Sequence, residues 1–178
     1  IKILNINKKE IIQKLDRLGA RKIFDDYLIT EIYDTKDSML EHKKILLRLR
    51  KEGQKAVLGF KARVKQESKA KIREEVETMV DNFENMKLIL SKIGFIEKRS
   101  SKKLRTSYIL GKVRFDIDSY GIIPDLLEIE APTEKEVEEA VKLLGYSMGD
   151  ANKESYNDLI KRYNIKTQND KRTFHMQI

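Results

Sequence analysis

From residue 8 to 18 the apolar side chains Ile11, Ile12, Leu15 and Leu18 recur at helical spacing. Asn7 is placed to cap the start and Gly19 to stop the end, which predicts a helix. The period then shortens. Residues 21–34 are rich in β-formers, Ile23, Phe24, Tyr27, Ile29, Ile32 and Tyr33 among them, and read as strand, turn, strand. Residues 45–51 and 54–64 face each other as a hairpin across Glu52-Gly53, and another strand is predicted over about 70–80. A second helix starts at Asp81 or Asn82, with Phe83, Met86, Leu90 and Ile93 on one face and Gly94 as its stop. The order then recurs: a long hairpin, 95–110 and 112–120, turning at Gly111, and a strand over 126–131. A third helix follows Pro132 and Thr133, with Val137, Ala140, Val141 and Leu144 inward and Gly145 ending it, and a short helical piece spans about 155–163.

Each half is therefore a helix followed by antiparallel strands. That order predicts an α+β fold, a pseudo-duplicated closed antiparallel β-barrel with helices packed outside, rather than an alternating parallel sheet. With two prolines and no low-complexity stretch, residues 1–165 read as one domain and 166–178 as a polar tail.

The strands carry an unusual polar pattern. Residues two apart share a face of a strand, so Arg48 and Arg50 form one row, Lys61 and Arg63 a second, and Arg73, Glu75 and Glu77 a third. Lys103 and Arg105, then Arg114, Asp116 and Asp118, then Glu128 and Glu130 make three more. An ordinary solvated face uses Ser, Thr and Gln freely, whereas these rows are almost purely ionic. The three apolar helix faces need the Leu, Ile, Val and Phe side of the sheet, so the charged side is predicted to line the barrel's interior. Charges there need compensation, because an isolated buried ion loses several kcal/mol of hydration. A triphosphate supplies it: Arg grips phosphate bidentately and Lys acts as a point charge. The carboxylates Glu75, Glu77, Glu128 and Glu130 are hard oxygen donors suited to Mg²⁺ or Mn²⁺ bridging to phosphate oxygens.

Composition narrows the partners. The 37 basic and 29 acidic residues leave a net charge of +8, which favours polyanions. No cysteine occurs, so disulfides and thiolate metal sites are excluded. No apolar run approaches the roughly 20 residues of a membrane span, and the expectation is a cytoplasmic protein with no membrane partner. Nucleic acid is not expected either, because carboxylates interleave the cations and repel it. His42 and His175 read as surface residues, and Tyr27, Tyr33, Tyr108 and Tyr120 as strand and core residues. Asp34 and Thr35 read as shaping a turn.

Taken together, Arg73-x-Glu75-x-Glu77, Lys103-x-Arg105, Asp118 and Glu128-Ile129-Glu130 make the chain resemble the CYTH family of triphosphate tunnel metalloenzymes. The Tyr33-Asp34-Thr35 turn, the Leu47-Arg48-Leu49-Arg50 strand and Ile123-Pro124 ahead of Leu127 add to the likeness. The resemblance runs from Lys2 to about Tyr163. It implies an eight-stranded tunnel, a bound triphosphate and a divalent metal. By position, Lys2, Arg48, Arg50, Lys61, Arg73, Lys103, Arg105 and Arg114 would be substrate-binding cations. Glu75, Glu77, Glu128, Glu130 and Asp118 would stand on the metal side, with Glu128, Glu130 and Arg73 in catalysis. The family signature is Glu-x-Glu-x-Lys in an N-terminal strand. If Lys2 is its lysine, both glutamates fall before Ile1, and the expectation is a chain trimmed at its start.

Two reactions fit such a site. Hydrolysis of tripolyphosphate, ATP or thiamine triphosphate asks for a tunnel, a metal and water, and is preferred. Cyclisation of ATP to cyclic AMP and pyrophosphate, the class IV adenylyl cyclase reaction, also needs an adenine pocket that no sequence feature declares. A non-catalytic polyanion-binding module is the third reading, and a homodimer is compatible with all three.

Overall fold

In the computed structural model, residues 1–64 and 72–163 are described. Nine strands form one sheet: β1 (Lys2–Leu4), β2 (Arg21–Asp34), β3 (Ile45–Glu52), β4 (Lys55–Arg63), β5 (Arg73–Val80), β6 (Ile96–Leu110), β7 (Val113–Ser119), β8 (Leu126–Glu130) and β9 (Ala151–Asn152). The helices are α1 (Lys8–Arg17), α2 (Met39–His42), α3 (Phe83–Lys92), α4 (Glu134–Leu143) and α5 (Tyr156–Arg162). The sheet order is β5-β4-β3-β2-β6-β7-β8-β1-β9. Neighbours β2/β3, β3/β4, β4/β5, β6/β7, β7/β8, β1/β8 and β1/β9 pair antiparallel. The antiparallel sheet with helices expected from the pattern is thus the fold, with the two-residue β9 as a ninth strand.

Several local expectations need correction. Residues 21–34 form one 14-residue strand without a turn. No glycine or proline interrupts that run, and the carboxylate of its turn-former Asp25 is held by Lys22 and Thr106 instead of its own backbone. The β3–β4 hairpin turns at Gly53-Gln54, with Glu52 opposite Lys55, because Gly53 takes the positive φ of 58°. Ile93 is exposed at the end of α3 and does not join the face formed by Phe83 and Leu90. The start of the strand expected over 70–80 lies partly, and the polar tail over 166–178 wholly, outside the described residues.

Each of two compact units has its own core. In the first, residues 1–26 and 103–163, α1 and α4 bury Ile11, Leu15, Val137, Ala140, Val141 and Leu144. They pack against Ile3, Phe115, Ile117, Leu127 and Ile129 of the sheet. Thr133 and Glu136 close a capping box at the start of α4. A smaller cluster joins Leu159 and Ile160 of α5 to Ile123 and Leu126. In the second unit, residues 27–64 and 72–102, Phe83 and Leu90 of α3 cover Tyr33, Leu49 and Ala56. In both units the helices take the apolar side of the strands, and the charged rows occupy the other. Among the described residues no helix is long and apolar enough to cross a membrane.

Asp34 explains a turn that composition left vague. Ser38 offers no side-chain cap to α2. Instead the Asp34 carboxylate accepts the backbone N–H groups of Thr35, Leu40 and Glu41 at 2.7, 2.9 and 2.9 Å. Burial alone would raise its pKa, but these donors hold it below the usual carboxylate range. Because the folded pKa lies below the unfolded one, this stabilisation is present above the unfolded value and is lost as pH falls through the folded value. Asp34→Ala is expected to lose about 1–2 kcal/mol. A urea midpoint unchanged from the parent at pH 7 would contradict this role.

Candidate functional site

In the first unit the cross-strand register stacks Lys2, Glu128, Asp116 and Ser107 side by side on β1, β8, β7 and β6. Arg105 lies opposite Asp118, and Arg114 opposite Glu130. Alternation along each strand brings all of these to one face. Arg105 is the hub. Its Nε and Nη2 donate to the two oxygens of Asp118 at 2.6 and 2.7 Å, and its Nη1 donates to Asp116 at 2.5 Å. Nη2 also reaches Glu128 at 3.1 Å. Arg105, Asp116 and Asp118 are buried, with 1% of each aspartate side chain exposed. The cluster persists in the interior because each charge meets several opposite partners.

Around this hub sit cations with donors in reserve. Lys103 Nζ donates to Asp118 at 2.5 Å, and Lys2 lies 3.2 Å from Glu128. Each ammonium has three donors, so these contacts leave capacity for phosphate oxygens. Arg114 donates to Asp116 and to the buried Ser107 hydroxyl. Burial, and next the charge of Arg105, push the Lys103 ammonium down to about 8. Its Nζ stands 5.3 Å from the ring centroid of Tyr120, which stacks on Tyr156 at 4.6 Å. Burial opposes the charge on Glu128, but Lys2, Arg105 and Lys103 outweigh it and hold the carboxyl well below the usual range. Glu128 is therefore an ionised oxygen donor at neutral pH and not a proton donor. Glu130, two residues on, shares its face and is exposed.

The second unit repeats the device. Arg48 and Arg50 of β3 both donate to Glu77 of β5, Arg50 through Nη2 at 3.2 Å. Arg50 Nε also lies 2.5 Å from Glu52, and Lys61 pairs with Glu75 at 2.6 Å. Burial would raise the Glu77 carboxyl, but Arg50 and Arg48 hold it below the usual range. Arg73 opens β5 opposite Arg63.

The anticipated residues therefore gather in two groups, Lys2, Lys103, Arg105, Arg114, Asp118 and Glu128 in one unit and Arg48, Arg50, Lys61, Glu75 and Glu77 in the other. The expected metal-side carboxylates divide between the units, Glu75 and Glu77 in one and Asp118, Glu128 and Glu130 in the other. Among the described residues no three His, Asp or Glu side chains converge as metal donors. The reason is local: Glu75, Glu77 and Asp118 each point at a neighbouring cation on their own sheet face. Four residues of these groups, Asp116, Glu52, Tyr120 and Tyr156, had not been assigned to the site. Asp116 and Glu52 were legible as continuations of the Arg114 and Arg48-Arg50 rows. The Tyr120–Tyr156 stack joins residues 36 positions apart, and no local signal announces it.

A family model for the CYTH domain matches residues 4–156, and the chain belongs to the CYTH family. A curated relative from Methanocaldococcus jannaschii, provisionally named an adenylate cyclase, is 24% identical over the whole of this chain and 95% of its own length. Among solved structures, a protein of Pyrococcus horikoshii OT3 superposes with a TM-score of 0.74 at 23% identity, covering 89% of this chain and 98% of its own. A protein from Hippeastrum, described as an adenylyl cyclase candidate with a dominant triphosphatase activity, gives a TM-score of 0.64 at 19% identity. It covers 91% of this chain and 94% of its own.

Proposed function

We propose that this protein is a divalent-metal-dependent triphosphatase that holds the phosphate chain of tripolyphosphate, ATP or thiamine triphosphate against the charged face of its sheet. The observation that carries this reading is the pair Lys2 and Lys103, each ammonium anchored by a carboxylate through one of its three donors. In one unit Arg48, Arg50, Lys61 and Arg73 are cations suited to phosphate oxygens, and in the other Lys2, Lys103 and Arg114 are. Arg105, with four of its five donors taken by three carboxylates, acts by fixing the lattice in which Lys103, Asp118 and Glu128 stand. The ionic rows are built before substrate arrives, so little reorganisation is needed as charge shifts in the reaction.

A divalent ion fits this face in a limited way. Mg²⁺ is commonly held by one or two carboxylates together with substrate phosphates rather than by a full protein cage, and Mn²⁺ accepts the same donors. Glu128 and Glu130, alternate residues on one face, meet that requirement. When bound, the ion supplies Lewis-acid polarisation of a phosphoryl oxygen.

Incubation with tripolyphosphate, ATP and thiamine triphosphate in Mg²⁺ or Mn²⁺ tests the reading by product. Orthophosphate is expected. Cyclic AMP and pyrophosphate without orthophosphate would establish the second reading, adenylyl cyclisation, which the name of the Methanocaldococcus jannaschii relative favours.

Lys103 adds a pH signature. Its ammonium is charged below about pH 8, so tripolyphosphate affinity is expected to fall by about tenfold from pH 8 upward. Further phosphate ionisation, which begins near pH 6, only adds negative charge as pH rises and so works against a falling limb. Folding moves the other way. A lysine whose folded pKa is depressed adds stability as pH rises from 8 towards its unfolded value, so the titration of Lys103 does not itself unfold the protein across this limb. Calorimetric titration from pH 7 to 10 should show the limb in the parent and a flat profile in Lys103→Met; the same limb in both would exclude Lys103.

A further inference from the structure

Gly59 sits in the middle of β4, where glycine weakens a strand and normally has a reason. Backbone conformation is not that reason, since Gly59, unlike Gly53, does not adopt a positive φ. The register supplies another. Arg48 on β3, Gly59 on β4 and Glu77 on β5 lie directly in line across the sheet. Glu77 is thus two strands from Arg48, roughly 10 Å at the usual strand spacing, and nevertheless accepts a hydrogen bond from it and another from Arg50. It does so by lying over Gly59. A Cβ at that position would stand 3.2 Å from Glu77 Oε1 and 3.3 Å from its Cγ.

We infer that Gly59 and Glu77 form one positioning device that aims the Arg48–Arg50 pair at the phosphate chain, Gly59 by absence of a side chain and Glu77 by bridging both guanidiniums. The inference rests on the triphosphate-binding reading and deepens it. Two guanidiniums two residues apart on one face repel each other, and each long side chain has many rotamers to lose on binding. A carboxylate shared between them removes the repulsion and settles the rotamers before ligand arrives, which is the physical content of preorganisation. Glu77 is then a counter-ion and not a metal donor.

Gly59→Ala isolates the device. The backbone accepts alanine and the strand gains a side chain, so the thermal midpoint should hold or rise. Meanwhile the carboxylate must move by a few tenths of an ångström. Calorimetry with tripolyphosphate, without metal, is expected to show Kd raised about tenfold in Gly59→Val and by a smaller factor in Gly59→Ala. In a Glu77→Ala background the Gly59→Ala change should alter Kd by less than about twofold, because nothing remains for the methyl to displace. Parental or tighter binding in Gly59→Val, or the same loss in both backgrounds, would overturn the inference. The guanidinium NMR signals of Arg48 decide it without ligand: they should be slowed and dispersed in the parent and averaged in Gly59→Val, whereas Arg50 stays anchored by Glu52. If the parent does not bind tripolyphosphate, the triphosphate reading fails. Unchanged Arg48 guanidinium signals in Gly59→Val would instead refute the Gly59–Glu77 device.

Discussion

Arg105→Met is expected to destabilise the fold by about 3–5 kcal/mol, the usual cost of stripping the partner from buried charges. Asp116 and Asp118 are both inside the first unit, and three of the four hydrogen bonds tying Arg105 to carboxylates go to them. Methionine fills much of the volume but satisfies neither aspartate. The loss should be recovered in large part when Asp116→Asn and Asp118→Asn are added, since a network replaced as a whole can be nearly neutral where a broken one is not. Urea denaturation of the single and triple variants measures both numbers. A single variant within about 1 kcal/mol of the parent would mean that the cluster is solvated and that Arg105 is no hub.

Converting Glu128 and Glu130 together to glutamine should reduce metal-dependent turnover by about two to three orders of magnitude, the scale of losing one transition-state charge stabiliser. Tripolyphosphate binding should survive within about threefold, because two negative charges leave a face that binds an anion. Glu128 carries most of the argument. Lys2, Arg105 and Lys103 keep it ionised, and an ionised oxygen is what a divalent ion or a developing positive charge requires. Its amide would still pack beside Lys2 but would present a far weaker donor. Steady-state phosphate release across a Mn²⁺ and Mg²⁺ titration is the measurement. Turnover within threefold of the parent at every metal concentration would remove these two residues from the chemistry.

Much of the candidate site was legible because strand alternation is a local rule. Arg48 and Arg50, Glu75 and Glu77, and Glu128 and Glu130 share faces by spacing alone, and the apolar helix stripes left only one side of the sheet for them. The helices were legible for the same reason: Asn7, Asn82 and Thr133 cap them, and Gly19, Gly94 and Gly145 take the positive φ that ends them. The partners were not. Spacing along β7 cannot say that Asp116 will oppose Glu128, nor that Arg105 will be consumed by three carboxylates while Lys103 keeps donors free.

The alternation of charges along single strands, and with it the choice of a polyanion as ligand, was determined by the sequence, because side-chain direction in a strand follows from backbone geometry with a period of two. Which cation holds which carboxylate was decided only by the tertiary structure. Register across strands brings together residues such as Arg48, Gly59 and Glu77, and that register is set by the packing of the sheet's apolar side against the helices, a long-range condition no short window of sequence contains.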